Sequence, residues 1–213
     1  MPDIVPSLFA ADHSRLQDAV RAAWEGGARH FHVDIMDGVF VPSIGLSIQL
    51  IADLNKAVPA GAYHAHMMTV EPQKLVEAVI AAGAISVTVH IEAVPQPEDL
   101  LRKIQASGAL AGLALNPGTS PQSLASLGLA PNIVQVMTVN AGHPGQTFIA
   151  DVLPKIRRVR EIVPDAIIAV DGQVSAATLP QVVASGAEFI VCGRGVFDGD
   201  PCQTLADLYR LLQ

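Results

Sequence analysis

The chain is short of charge, of aromatic rings and of cysteine. Only 15% of its 213 residues are charged and 50% are apolar, and the mean hydropathy is +0.39. Disorder requires the opposite balance and is excluded. Aromatic residues amount to 4%, so the core must be built from Ala, Val, Leu and Ile. The two cysteines, Cys192 and Cys202, form neither a C-x-x-C pair nor a zinc spacing. That suits buried thiols in a reducing cytoplasm. Basic residues are also few: 13 Lys and Arg against 20 Asp and Glu give a net charge of −7. Nucleic acid and anionic membrane both need a basic surface, so neither is expected as a partner. A small anionic ligand held by local backbone donors is compatible with this charge. There is no run of about 18 uncharged apolar residues, so no membrane span is expected. Residues 1–12 carry Asp3 and Asp12 without a basic cluster, which is wrong for a signal peptide.

One short pattern recurs: an amphipathic stretch, then Gly-Ala, then an apolar run. It occurs at Gly27-Ala28, Gly83-Ala84, Gly108-Ala109 and Gly186-Ala187. The separations are close to whole multiples of roughly 26 residues, and the chain holds about eight such units. Glycine at this place ends a helix in the left-handed conformation and releases the chain into a strand. Strands are predicted near 3–8, 29–35, 62–67, 85–90, 110–115, 132–138, 166–171 and 188–193. Continuous apolar runs of this length suit a parallel sheet buried on both faces. Helices are predicted around 13–25, 72–82, 148–162, 176–185 and 202–212, with Pro121, Pro154 and Pro164 at or near helix ends, or Pro154 as a kink. Eightfold strand–helix alternation without a linker predicts a single domain over 1–213, an α/β fold of the (β/α)8 TIM-barrel type with short loops. The alternative, a doubly wound open sheet, lacks a G-x-G-x-x-G after the first strand.

In such a barrel the chemistry sits at the C-terminal ends of the strands. The second strand ends in His32 and Asp34, the third in His64 and His66, the fourth in His90 and the seventh in Asp171. Residues spaced i, i+2 on a strand share a face, so imidazoles and carboxylates converge on one mouth, a donor set suited to a divalent transition metal. A single strand histidine is more often a core residue; the convergence of three strand ends is what favours the metal. Glycine turns follow strands six to eight: Gly142-His143-Pro144-Gly145, Asp171-Gly172-Gln173 and Gly193-Arg194-Gly195. Loops at this place commonly bind phosphate through backbone N–H groups. Arg194 is the only Lys or Arg placed in a loop of that face, and a guanidinium pairs bidentately with phosphate. Met36, Met68 and Met137 fall at strand ends two, three and six, either as core filler or as a polarisable wall over a reacting centre.

Ser7 in VPSLFAAD, HVDIMDGVFVPS, HMMTVEP, NPGT, MTVNAGHPGQTFI, VDG and CGRGVF, in this order along essentially the whole chain, resemble the ribulose-phosphate 3-epimerase family and its relatives acting on ketohexose 6-phosphates. The resemblance implies a (β/α)8 barrel that inverts the carbon next to the keto group of a phosphorylated ketose. It implies one divalent cation (Zn²⁺, Fe²⁺, Mn²⁺ or Co²⁺), no organic cofactor, and a homo-oligomer. Carried over by position, His32, Asp34, His66 and Asp171 would be the metal ligands, and Asp34 and Asp171 the acid–base pair. Ser7 and His66 would touch substrate, and Met36, Met68 and Met137 would line the reacting face. Gly142, His143, Pro144, Gly145, Gly172, Gln173, Gly193 and Arg194 would hold the phosphate. The chain departs from the usual family pattern at His64 (usually Asp), Ser43 (Asn), the Ala141–Gln146 loop, Gln173 (Gly) and Arg194 (Ser). These departures spare the metal and acid–base positions. D-ribulose 5-phosphate is the expected substrate, and another ketose phosphate such as D-allulose 6-phosphate is the alternative. A decarboxylase of related shape would need D-x-K-x-x-D, but Asp34-Ile35-Met36-Asp37 carries no lysine. A barrel that binds a sugar phosphate without catalysis is the remaining rival.

Overall fold

The computed structural model describes residues 1–142 and 145–212. Eight strands follow one another as β1 (Asp3–Pro6), β2 (His30–Met36), β3 (Ala62–Met68), β4 (Ser86–His90), β5 (Leu110–Leu115), β6 (Ile133–Met137), β7 (Ile167–Asp171) and β8 (Phe189–Cys192). Each lies within about a residue of the run predicted for it, apart from a shorter β1. All ladders are parallel, in the order β1-β8-β7-β6-β5-β4-β3-β2. The ring closes between β1 and β2 through one bridge, Ser7 with His32.

The helices are α1 (Leu16–Glu25), α2 (Ile48–Ala57), α3 (Val76–Ala81), α4 (Pro97–Ala106), α5 (Leu153–Ile162), α6 (Leu179–Ala184), α7 (Arg194–Phe197) and α8 (Pro201–Arg210). The alternation has one exception. Between β5 and β6 the chain forms only a 3₁₀ turn, Pro121–Leu124, because Pro117, Gly118, Pro121, Gly128 and Pro131 interrupt any longer helix. Pro154 stands in the first turn of α5, where a missing N–H costs nothing; it begins the helix and does not kink it.

Strand side chains alternate between two interiors. One set, including Phe31, Val33, Tyr63, Met67, Val87, Leu113, Val134 and Ile168, is buried against the helices. Tyr63, one of the few aromatic residues, stacks on Phe31 at 5.6 Å and donates its hydroxyl to the carbonyl of Leu54 at 3.1 Å. The other set fills the barrel. Register places His32 beside His64, Asp34 beside His66 and Met36 beside Met68, and Met137 beside Asp171. The polar residues of the barrel are thereby stacked in layers that rise toward the C-terminal rim.

Candidate active site and metal centre

His32 and Asp34 occupy successive inward positions of β2, so their side chains meet: His32 Nε2 lies 3.2 Å from Asp34 Oδ1. Across the β2–β3 ladder, His66 Nδ1 lies 3.3 Å from the same oxygen and 3.2 Å from His32 Nε2. Asp171, at the end of β7, brings its Oδ2 to 3.5 Å from His32 Nε2 and 3.4 Å from His66 Nδ1. One donor atom from each of the four residues lies within 4.8 Å of the others. His32, Asp34 and His66 are buried, so their polar atoms meet one another and not water. Burial alone would raise the Asp34 pKa, yet His32 and His66 beside it hold the carboxyl well below the usual range. Burial would lower His66, but its bonds to Asp171 and Asp34 raise it to about 9. Two imidazoles and two carboxylates converging on one point match the donor chemistry of a divalent transition cation, so the residues present fit such an ion.

The remaining described residues read from the sequence surround this centre. A cavity of about 290 Å³ opens above it, lined by Ser7, Asp34, Met36, Met68, Met137, Gly142, Gly145, Asp171, Gly172, Gln173, Gly193 and Arg194. His32 and His66 lie behind its wall. Met36, Met68 and Met137 pack with Val41, Ala141 and Phe40 into an apolar cluster of their own, separate from the core under the helices. Ser7 donates its hydroxyl to Asp34 Oδ2 at 2.7 Å. Gly172 has φ +128°, and a Cβ there would stand 2.8 Å from the Val139 backbone nitrogen. Gln173 adopts φ +53°, a conformation that side chains with a Cβ rarely take. His143 and Pro144, read as part of the phosphate-holding turn, lie outside the described residues. Arg194 opens α7 at the rim with its side chain exposed, and no ion-pair partner meets its guanidinium among the described residues.

His64 is no ligand and hydrogen-bonds none of the four. It sits one layer below them, 2.8 Å from His30 Nδ1 and 2.7 Å from the Ser86 hydroxyl. Burial and the neighbouring His30 and His32 push its pKa down to about 3, so it stays neutral. Sequence reasoning missed Gln135, whose amide donates to Asp171 Oδ2 at 2.9 Å and lies 3.1 Å from His66 Nδ1. Its signal was present: the one polar residue of IVQVM, two before Met137 and therefore on the same face. It also missed Glu92, which stands behind His90, and named Ser43 only as a departure from the family pattern, whereas Ser43 ties the β2 loop to the β6 loop by donating to the Gly142 carbonyl at 2.7 Å.

Residues 3–197 match the model of the ribulose-phosphate 3 epimerase family. Ribulose-phosphate 3-epimerase of Synechocystis is 39% identical, over 92% of this chain and 87% of its own. That of Eremothecium gossypii is 36% identical, over 92% and 86%. Among solved structures, 3-hexulose-6-phosphate synthase from Salmonella typhimurium superposes with a TM-score of 0.75, covering 99% of this chain and 100% of that one. At 14% identity that likeness is one of architecture alone. With the family model spanning nearly the whole barrel and curated relatives above a third identical, this chain belongs to the ribulose-phosphate 3-epimerase family.

Proposed function

We propose that this chain inverts C3 of D-ribulose 5-phosphate to give D-xylulose 5-phosphate, by proton transfer between two aspartates. The observation that carries the reading is the pair itself. Asp34 and Asp171 come from strands separated in the ring by β1 and β8, both line the cavity, and both meet the same two imidazoles. Inversion requires a base on one face of the planar intermediate and an acid on the other. One carboxylate removes the C3 proton, the other returns a proton from the opposite side, and the roles exchange with direction. Ser7 holds Asp34 Oδ2, the oxygen not shared with the imidazoles, in position at the cavity wall. Gln135 fixes Asp171 through Oδ2 and leaves Oδ1 to carry the proton. The three methionines exclude water above the reacting carbon, which strengthens every charge interaction inside.

His32, Asp34, His66 and Asp171 would hold one Zn²⁺, Fe²⁺, Mn²⁺ or Co²⁺; when bound, such an ion acts as a Lewis acid toward negative charge developing on the substrate oxygens. The glycine turns after β6, β7 and β8, with Gln173 and Arg194, would take the phosphate. We further infer a homo-oligomer in the cytoplasm, a state that sedimentation would read directly.

The test is proton exchange by NMR in D₂O with D-ribulose 5-phosphate, D-allulose 6-phosphate and D-erythrulose 4-phosphate. Deuterium at C3 of ribulose 5-phosphate, with fast formation of xylulose 5-phosphate, is expected. Faster exchange with another ketose phosphate would keep the chemistry and move the substrate, a reading that Gln173 and Arg194 at the rim favour. No exchange with any of them would refute the epimerase. Asp34→Asn and Asp171→Asn should each lower turnover by about 10²–10⁴-fold. Metal content is measured alongside, and near-native activity with metal bound would refute the two-base scheme.

A further inference from the structure

A line of side chains runs outward from His66, away from the cavity. Its Nε2 lies 2.9 Å from Nε2 of His90, and the rings stack with centroids 5.0 Å apart. His90 Nδ1 lies 3.1 Å from Glu92 Oε2. The other carboxylate oxygen, Oε1, is separately occupied: it accepts from the Asn116 backbone N–H at 2.9 Å and from the Thr119 hydroxyl. Lys155 holds the loop that carries these donors, donating Nζ to the carbonyls of Asn116 at 2.9 Å and Pro117 at 2.8 Å. Neither His90 nor Glu92 lines the cavity.

The protons along this line can be placed. Burial alone would raise the Glu92 pKa, but its bonds to His90, Thr119 and Asn116 hold it down to about 2. It is therefore a pure acceptor at neutral pH, and the proton of its contact with His90 sits on Nδ1. The Asn116 amide nitrogen lies 3.4 Å from the same Nδ1, but a closer carboxylate that cannot donate decides the matter. In the neutral ring a proton on Nδ1 leaves Nε2 as the acceptor, and that atom faces His66 Nε2. A bond between two imidazole nitrogens needs one N–H, and His66 Nε2 must supply it. With a cation bound, His66 is neutral, and a proton on its Nε2 leaves the lone pair on Nδ1, the atom that faces His32, Asp34 and Asp171.

We propose that Glu92, acting through His90, is a positioning residue that sets His66 in the one tautomer able to take a cation at Nδ1. This rests on the metal-centre reading above. Glu92→Gln tests it because the Asn116 N–H can only donate. The glutamine oxygen must stay with Asn116, which turns its NH₂ toward His90 Nδ1. His90 then carries its proton on Nε2, His66 on Nδ1, and the lone pair at the centre is lost although side-chain size is unchanged. The zinc Kd, measured by competition with a chromophoric chelator, should rise about 10–100-fold in Glu92→Gln. In zinc-loaded wild-type protein, long-range ¹H–¹⁵N correlation should place the His90 proton on Nδ1 and the His66 proton on Nε2. An unchanged zinc Kd in the variant, or wild-type His90 protonated on Nε2, overturns the proposal. The second measurement stands even where the variant fails to fold. Wild-type protein that binds no zinc would sink the metal-centre reading together with the proposal; normal wild-type binding with an indifferent variant sinks the proposal alone.

Discussion

Arg194 and Gln173 are the two rim side chains whose conformation asks for a reason. A residue with a Cβ in the left-handed region costs roughly 1–2 kcal/mol, which Gln173 bears at φ +53° while standing on the cavity wall beside Gly172. Arg194 lines the same cavity, and its guanidinium meets no acidic partner among the described residues. A hydrogen bond to a charged group contributes about 1.5–3 kcal/mol, so Arg194→Ala should raise KM for the phosphorylated ketose about tenfold or more and flatten its salt dependence; steady-state kinetics at two ionic strengths reads both, and an unchanged KM would place Arg194 outside the site. At this scale the sequence was most legible where chemistry and strand parity coincide. His32 and Asp34 alternate on one strand, and His66 stands on the next. Glu92 was not legible: it stands only two residues after His90, but the Asn116 and Thr119 donors that fill its other oxygen come from the turn after β5, and no spacing in the chain announces that meeting.

Strands were read from the sequence within about a residue at most ends, because a parallel strand buried on both faces writes an unbroken apolar run bounded by Gly-Ala. Helices were less sharply marked. The stretches near 13–25, 72–82 and 148–162 each begin as a 3₁₀ turn before becoming α-helical, a change of hydrogen-bond partner that leaves the amphipathic pattern intact. The β5–β6 link shows where periodic reading fails: it supplies a crossover without a helix. In β5 itself, Gly112 faces into the barrel at the level of Thr88, and a Cβ there would lie 2.2 Å from Thr88 Oγ1 and 3.0 Å from its Cβ. Gly112→Ala should therefore destabilise by about 1–3 kcal/mol. Thr88→Ala added to it should recover part of that loss, the signature of two residues competing for one space. Urea midpoints of the two single variants and the double variant measure the coupling; strict additivity would mean that the two strands yield by moving apart.

Taken as one object, the barrel is cross-linked at its centre by residues from β2, β3 and β7, so a bound cation would join the early part of the chain to the late part. A ligand specific to the folded state, at a hundredfold excess over its Kd, stabilises by about 2.7 kcal/mol. For a domain of this size each kcal/mol moves Tm by about 2–4 °C. Chelating the metal from loaded protein should therefore lower Tm by roughly 5–10 °C, read by circular dichroism, and an unmoved Tm would argue against a cation in the centre. The ring itself imposes an order on the chain's history. β1 pairs in a ladder with β8 and meets β2 at a single bridge. During synthesis β1 therefore waits for β8. Asp34 and His66 emerge long before Asp171, and Ser7 finds its full backbone setting only after Cys192 has been made. A nascent chain truncated before β8 would carry every proposed ligand and still have no closed wall to hold them.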